Sequence, residues 1–302
     1  MQLAGLAGGC LVAALLAVVL LAFGASGPSY YVALGDSLSV GIQPNAAGQQ
    51  LMTDQGYVND LYAHYRDERP QLKLRQFGCP GDDTANVITG QGNAAAAQYY
   101  HCDRQDGSQL NAAVAFIRAH AGQVKLISID IGANDINNCL NPAVYAHGVS
   151  YTIACVNRGE ASIAANLPTI LRALAAAAAP GTQLVGGEVY DPFLAGLLDT
   201  DAMVRAVSTQ SIGLITKLNS EIAYADAGAG FKTADVADAF STYDTRRVTA
   251  PGGRVRVGRN LVVLCRYTWV CTKAPRGPNI HPNATGYRVI ARAFERVLPR
   301  SL

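Results

Sequence analysis

A serine hydroxyl attacks a carbonyl only when a base removes its proton and nearby donors receive the negative charge that develops. Four short stretches of this chain carry residues of those types. Gly35-Asp36-Ser37-Leu38-Ser39-Val40-Gly41 follows the apolar run Tyr30–Leu34, which would set Ser37 in a strand-to-helix turn with its hydroxyl at the sheet edge. Gly78-Cys79-Pro80-Gly81-Asp82-Asp83-Thr84 follows Leu72–Phe77, and Gly81 has no side chain to block close approach to its N–H. Gly132-Ala133-Asn134-Asp135 follows Val124–Ile131 and offers the Asn134 amide as a further donor. Asn279-Ile280-His281-Pro282-Asn283, just before the last helical pattern, supplies the base in His281. The Ser37 stretch is not a Gly-x-Ser-x-Gly elbow, because Ser39 occupies the last position.

These stretches need a scaffold that gathers them. Apolar runs at Tyr30–Leu34, Leu72–Phe77, Val124–Ile131, Gln183–Val189 and Phe231–Val236 read as strands. They alternate with longer helical patterns, as in a parallel sheet covered by helices on both faces. From Ala161, residues Ile163, Leu167, Ile170, Leu171 and Leu174 form a helical stripe that ends at Pro180-Gly181. After Pro282, Asn283 can cap a helix whose Tyr287, Ile290, Phe294 and Val297 share a face. The connections 78–107, 137–158 and 242–282 are longer than simple turns require, and long connections in a compact domain are commonly functional. Ala94–Ala97 and Ala175–Ala179 read as helix filler or helix end. In open parallel sheets, ligands bind beyond the carboxyl ends of the strands, where the first three stretches fall.

Taken together, the four stretches resemble the SGNH (GDSL) hydrolases, a family named for Ser, Gly, Asn and His in four blocks. Ser37 in GDSLSVG, Gly81, Asn134 in GAND and His281 in HPN occur in the family's order across nearly the whole chain after residue 27. The cysteine layout and the GCPGDDT stretch are most similar to the secreted actinobacterial lipase/esterase branch. The resemblance implies an α/β fold: a three-layer α/β/α sandwich around a flavodoxin-like, five-stranded parallel sheet. It also implies ester hydrolysis through an acyl-enzyme on Ser37 with His281 as general base. The oxyanion hole would comprise the N–H groups of Ser37 and Gly81 and the Asn134 amide, with no metal and no cofactor. Two alternatives are a carbohydrate O-acetylesterase of the same mechanism and a catalytically silent member that binds an acyl or surface ligand.

Family members usually carry Asp three residues before the histidine, and here that position is Pro278. His281 needs an acceptor that holds one ring N–H and leaves the other nitrogen free for Ser37. The Pro278 backbone carbonyl is the expected acceptor, the Asn279 side chain competes with it, and Asp235 or Asp238 comes third. Asp36 is expected to brace the nucleophile turn, and the Asp82-Asp83 pair to cap a helix.

The chain's 302 residues, half of them hydrophobic, suffice for one sizeable core. With 24 Lys+Arg against 22 Asp+Glu and no basic run, nothing marks a nucleic-acid partner. A small-molecule or lipid ester is the expected partner, and the chain is expected to act as a monomer. No charged side chain precedes Asp36, and Leu11–Phe23 is an unbroken apolar run. Residues 1–27 therefore read as a signal peptide or an N-terminal membrane anchor, and 28–302 as a single domain outside the cell. Membrane contact is expected only through that segment, if it is retained. Beyond it lie Cys79, Cys102, Cys139, Cys155, Cys265 and Cys271, an even number that argues for disulfides in an exported chain. The pairing stays open on sequence alone; closure between neighbours would give Cys79–Cys102, Cys139–Cys155 and Cys265–Cys271. No spacing suits a zinc site.

Overall fold

Successive side chains of a strand point to opposite faces, so a strand buried on both sides feeds two cores. Along β1 (Ser29–Gly35), Tyr31 and Ala33 enter one core, Val32 and Leu34 the other. These observations come from a computed structural model that describes residues 27–92, 98–102, 107–250, 252–253 and 255–302. The expected segment 1–27 and Ala94–Ala97 therefore lie outside the described residues, apart from Gly27 itself. Among the described residues no helix is long and apolar enough to cross a membrane.

β1 is central. It pairs in parallel with β2 (Leu72–Gln76) and with β3 (Val124–Asp130), which pairs in turn with β4 (Gln183–Gly187), and β4 with β5 (Lys232–Ala234). The order β2-β1-β3-β4-β5 is the flavodoxin-like one, which puts the topological switch point between β1 and β3. All five expected strands are present. The last is shorter than expected because the Asp235 carboxylate accepts the Asp238 N–H at 2.8 Å and starts a helical turn at Val236–Ala239.

Helices cover both faces. α1 (Tyr57–Glu68) lies on one face; α2 (Thr84–Thr89) and α3 (Gln109–Ala119) lie on the other. A short α4 (Ala133–Asn137) follows β3 and leads to the long α5 (Val149–Ala177); α6 (Ala202–Ala229) packs beside α5 on the same face. α7 (Arg259–Tyr267) and α8 (Ala284–Val297) close the α1 face, where Tyr57 and Phe294 stack at 4.7 Å.

α5 and α6 are longer than the sheet needs. At 1.5 Å per residue their 29 and 28 residues run about 43 and 42 Å, against about 23 Å for the seven residues of β3. Each must cross back from the carboxyl edge of the sheet, so its N-terminal turns lie at that edge. Gly132, just past β3, is level with Ile163 of α5 and Leu218 of α6, and a Cβ there would lie 3.8 Å from each. The first turns of both helices, well before those two residues, reach past the strand ends.

This corrects the expectation of a loop over 137–158 with a helix starting at Ala161. Val149, Ile153 and Val156 extend the 3–4 spacing backwards, and Gly159 lets the helix approach α4: a Cβ there would fall 2.2 Å from the Asp135 carbonyl oxygen. The disulfide Cys139–Cys155 ties the overhang to the end of α4. Cys79–Cys102 and Cys265–Cys271 are also closed, with Cα atoms 5.5 and 5.1 Å apart.

Candidate active site

At the end of β1 the chain must pass Asp130 at close quarters. Gly35 does so at φ +137°, where a Cβ would lie 2.4 Å from Asp130 Oδ1. The next residues form turns rather than the expected helix, closed by Gly41 N–H to Leu38 O (3.2 Å) and Ile42 N–H to Ser37 O (3.0 Å). The Ser37 N–H is therefore a loop donor and not a helix end. Asp36 is buried and braces the turn, as expected: its carboxylate accepts from Leu38 N–H (2.9 Å) and Asn134 Nδ2 (3.3 Å).

Parallel pairing continues past β2 through Phe77 N–H to Ala33 O and Cys79 N–H to Gly35 O, which carries the Gly81 loop beside Ser37. Gly81 sits at φ +84° in open space. Asp83 alone caps α2, accepting from Asn86 N–H at 2.8 Å, whereas Asp82 turns inward to another partner. That partner is Gln109, fully buried at the start of α3. Its amide donates to Asp82 Oδ2 (3.1 Å) and Gly35 O (3.1 Å), and its oxygen accepts the Gly35 N–H at 2.7 Å. Asp135 completes the clasp by accepting from Thr84 N–H (2.9 Å) and Thr84 Oγ1 (2.7 Å). Three loops are thus fixed to one another through buried polar bonds, each satisfied on both sides.

Asn134 projects from the first residues of α4. Its Nδ2 donates to the Asp82 carbonyl at 2.9 Å and, more weakly, to Asp36 at 3.3 Å. One N–H is firmly held and the other loosely.

His281 lies on a short strand, Asn279–Pro282, paired antiparallel with Thr268–Trp269 beside the Cys265–Cys271 disulfide. Tyr190, stacked on Phe240 at 4.4 Å, donates its hydroxyl to the Ile280 carbonyl at 2.6 Å and steadies the segment. The acceptor expected for the ring was the Pro278 carbonyl; in the structure it is Asn279. Asn279 Oδ1 accepts the His281 backbone N–H at 2.9 Å and lies 2.8 Å from Nδ1. The physical reason is an Asx-type turn, in which an Asn side chain reaches two residues ahead. A backbone N–H can only donate, so the amide atom facing it is oxygen and Nδ1 must carry the second proton. Nε2 is then the unprotonated nitrogen. His281 is half-buried, and lost solvation pushes its imidazole down to about 4. Asp235 and Asp238 stay at their own helical turn, with Asp235 beside Glu188.

Ser37, Asn134 and His281 line one cleft with Asn137, Phe193, Ile215, Leu218 and Ile280. Where the cleft opens toward Gln50 and Tyr100, Gly81 joins the same three residues. All four residues singled out in the sequence therefore border one space at the β1–β3 switch point.

Three residues carried no sequence signal and matter here: Gln109, Asp130 and Tyr57. Asp130, at the end of β3, accepts from the Tyr57 hydroxyl at 2.6 Å and lies near Asp36. Burial, then the Asp36 charge, pushes Asp130 well above the usual carboxylate range; burial also pushes Asp36 up to about 6. Of the two neighbouring carboxyls beneath the Ser37 turn, Asp130 therefore holds a proton the more tightly. An isolated Asp in an apolar strand is indistinguishable in sequence from a strand-end turn former.

No curated protein matches the chain. An extracellular lipase from Streptomyces rimosus is similar in fold at 18% identity, covering 89% of this chain and 100% of its own, with a TM-score of 0.53. A phospholipase A1 from Streptomyces albidoflavus aligns at 19% identity over 90% of this chain and 100% of its own, TM-score 0.51. An acetyl xylan esterase from Geobacillus stearothermophilus aligns at 14% identity over 91% and 97%, TM-score 0.51. At such identities the likeness speaks for the three-layer fold. The family match speaks for more, since it runs over residues 33–289, from β1 into α8, and encloses every loop of the cleft. The chain belongs to the GDSL-like lipase/acylhydrolase family and is a carboxylic ester hydrolase.

Proposed function

We propose that Ser37 is the nucleophile and His281 the general base of an exported lipase or esterase. The observation that carries this reading is that Ser37, Gly81, Asn134 and His281 border one cleft while Asn279 leaves His281 Nε2 unprotonated. Ser37 Oγ bonds to the ester carbonyl carbon as its proton passes to Nε2. The oxyanion is received by the N–H groups of Ser37 and Gly81, neither of which has an internal acceptor among the described residues, and by the loosely held Asn134 N–H. Collapse breaks the ester C–O bond, and His281 returns the proton to the leaving alcohol. Water repeats the sequence on the acyl-enzyme and releases the acid. No hydrogen bond joins Ser37 to His281 in the free chain; such bonds commonly tighten when substrate completes the alignment.

Export is supported by the three closed disulfides, which persist in oxidising surroundings. The silent-binder alternative was motivated by the missing carboxylate, and Asn279 removes that motive. Ser37→Ala should abolish hydrolysis of p-nitrophenyl butanoate and labelling by a fluorophosphonate probe, and wild-type turnover in that variant would refute the assignment. Asn134→Ala should lower kcat by about 10²–10³, the loss typical of one oxyanion donor. An effect confined to KM would remove it from that role.

A further inference from the structure

The chain's near-neutral balance conceals a division of charge. From Arg246 to the end, the sequence holds 12 of its 24 Lys+Arg but one of its 22 Asp+Glu, Glu295. Part of that excess gathers around a groove. A hairpin of Arg247–Thr249 and Arg256–Gly258 packs on α7, and with the 3₁₀ helix Pro192–Leu198 they enclose a space of about 540 Å³. Leu198, Val257, Leu261 and Val262 line it, and Arg266 is its one charged lining residue. Leu198 is 57% exposed and Val255, one strand repeat before Val257, is 63% exposed, so apolar side chains stand in water here.

The cations around this groove have few counter-ions. Asp244 is shared by Arg246 at 2.6 Å and Arg259 at 3.5 Å. Among the described residues no carboxylate pairs with Arg247, Arg256, Arg266, Lys273 or Arg276, all of them exposed. Arg247 and Arg256 reach across the hairpin to each other's carbonyl. The Cys265–Cys271 disulfide ties the loop of Lys273 and Arg276 to the groove wall, which Cys265 joins. Like charges repel, so such a grouping is costly in the free chain and favourable only against an anionic partner.

We propose that this face docks the protein on an anionic lipid surface, the guanidiniums meeting the headgroups and Leu198 and Val255 entering the acyl boundary. This membrane contact is separate from the N-terminal segment expected from the sequence. Charge complementarity and exposed apolar area together select the partner. A polyanion without an apolar part would leave Leu198 and Val255 in water, and a neutral bilayer would leave the cations unmatched. The same 3₁₀ helix gives Phe193 to the catalytic cleft and Leu198 to the groove, about 10 Å apart at 2 Å per residue. A docked surface therefore lies close beside the cleft.

The test is co-sedimentation of the full chain with vesicles of phosphatidylcholine alone or with about 30% phosphatidylglycerol, read as the ratio of anionic to neutral binding. Residues 1–27 carry no charged side chain, so any binding through them cancels in that ratio. Each basic side chain at an anionic surface contributes about fivefold to partitioning, so Arg256→Gln with Arg266→Gln should lower the ratio by about 25-fold. Arg247→Gln with Lys273→Gln, a second exposed pair, should give the same loss. Arg292→Gln with Arg296→Gln removes equal charge from α8, where neither residue borders the groove, and should lower the ratio less than about threefold. Leu198→Ser with Val255→Ser should weaken binding to the anionic vesicles by at least about fivefold. These exposed positions should leave hydrolysis of soluble p-nitrophenyl butanoate within about twofold of the wild type, which checks folding. The proposal is overturned by wild-type binding that ignores lipid charge, or by an equal loss in the α8 pair, which would make net charge the cause. It is also overturned if Leu198→Ser with Val255→Ser binds as the wild type while dextran sulfate binds as tightly as the vesicles, which would make the face a polyanion site. Binding is read without turnover, so Ser37→Ala should bind as the wild type, and this inference stands or falls apart from the nucleophile assignment.

Discussion

Replacing Asn279 by Asp changes charge at the His281 ring with almost no change of shape, because either side chain can accept from the backbone N–H and from Nδ1. A carboxylate favours the charged imidazolium, so the sign is fixed: the His281 pKa rises. A neutral hydrogen bond contributes about 0.5–1.5 kcal/mol and one to a charged group about 1.5–3, a difference of about 1–1.5 kcal/mol. At 1.36 kcal/mol per pKa unit this moves the ring up by roughly one unit from its depressed value of about 4. Catalysis needs the neutral base, so wild-type kcat/KM should hold down to about pH 4 and fall below it, whereas Asn279→Asp should lose activity about one pH unit earlier. Above pH 6 the same stabilisation of the developing imidazolium should raise kcat/KM by about five- to twelvefold. Asn279→Ala should fall by at least tenfold, and by up to about 10⁴ if the ring adopts the wrong tautomer, the loss recorded for the serine-protease triad. The assay is quenched hydrolysis of p-nitrophenyl butanoate from pH 3.5 to 8, with released phenol quantified after neutralisation. An unmoved acid limb in Asn279→Asp, together with wild-type rates in Asn279→Ala, would refute the orienting role.

Two further outcomes follow from buried groups away from the cleft. Asp226, buried under Gly186 and accepting from Thr233 at 2.9 Å, is pushed up to about 7 by burial. A raised carboxyl favours folding below its unfolded pKa of 3.8 and loses that contribution as pH rises through 7, by about 4 kcal/mol at most. The melting temperature should therefore drop between pH 5 and 8 in the wild type and drop less in Asp226→Asn; equal drops in calorimetry would contradict this. Removing the Cys139–Cys155 bridge by Cys→Ser at both positions should destabilise the fold by about 3 kcal/mol, the scale for a loop of this size. It should also raise protease sensitivity in the first turns of α5 before anywhere else, and cleavage that starts at α8 would argue against the bridge as the clamp of that overhang.

The sheet was legible because strands buried on both faces read as apolar runs, and all five fall where the runs are. That Ser37, Gly81, Asn134 and His281 would meet at one cleft was legible because three of the stretches follow strand ends and all four match one family's order. What escaped had no local signature. The first turns of α5 contain Cys155, Asn157 and Gly159, whose low helix propensity hides a helix that tertiary packing against α4 and α6 supports. Gln109 bridges Gly35 and Asp82 across 74 and 27 residues of chain, a distance no spacing rule covers. The choice between Pro278 and Asn279 turned on one backbone conformation, and an Asx turn is visible only once the N–H it satisfies has a direction.

The overhang of α5 and α6 separates two duties that many small domains combine. The first turns of α5 and α6 present Val149, Ile153 and Met203 to solvent, so side chains there can change size without opening a void in the core. The loops at the strand ends enjoy no such freedom, being knotted through Gln109, Asp36 and Asp135 into a single rigid clasp. Surface substitutions at Val149, Ile153, Met203 or Val207 can thus drift at little thermodynamic risk while the reactive centre stays unaltered.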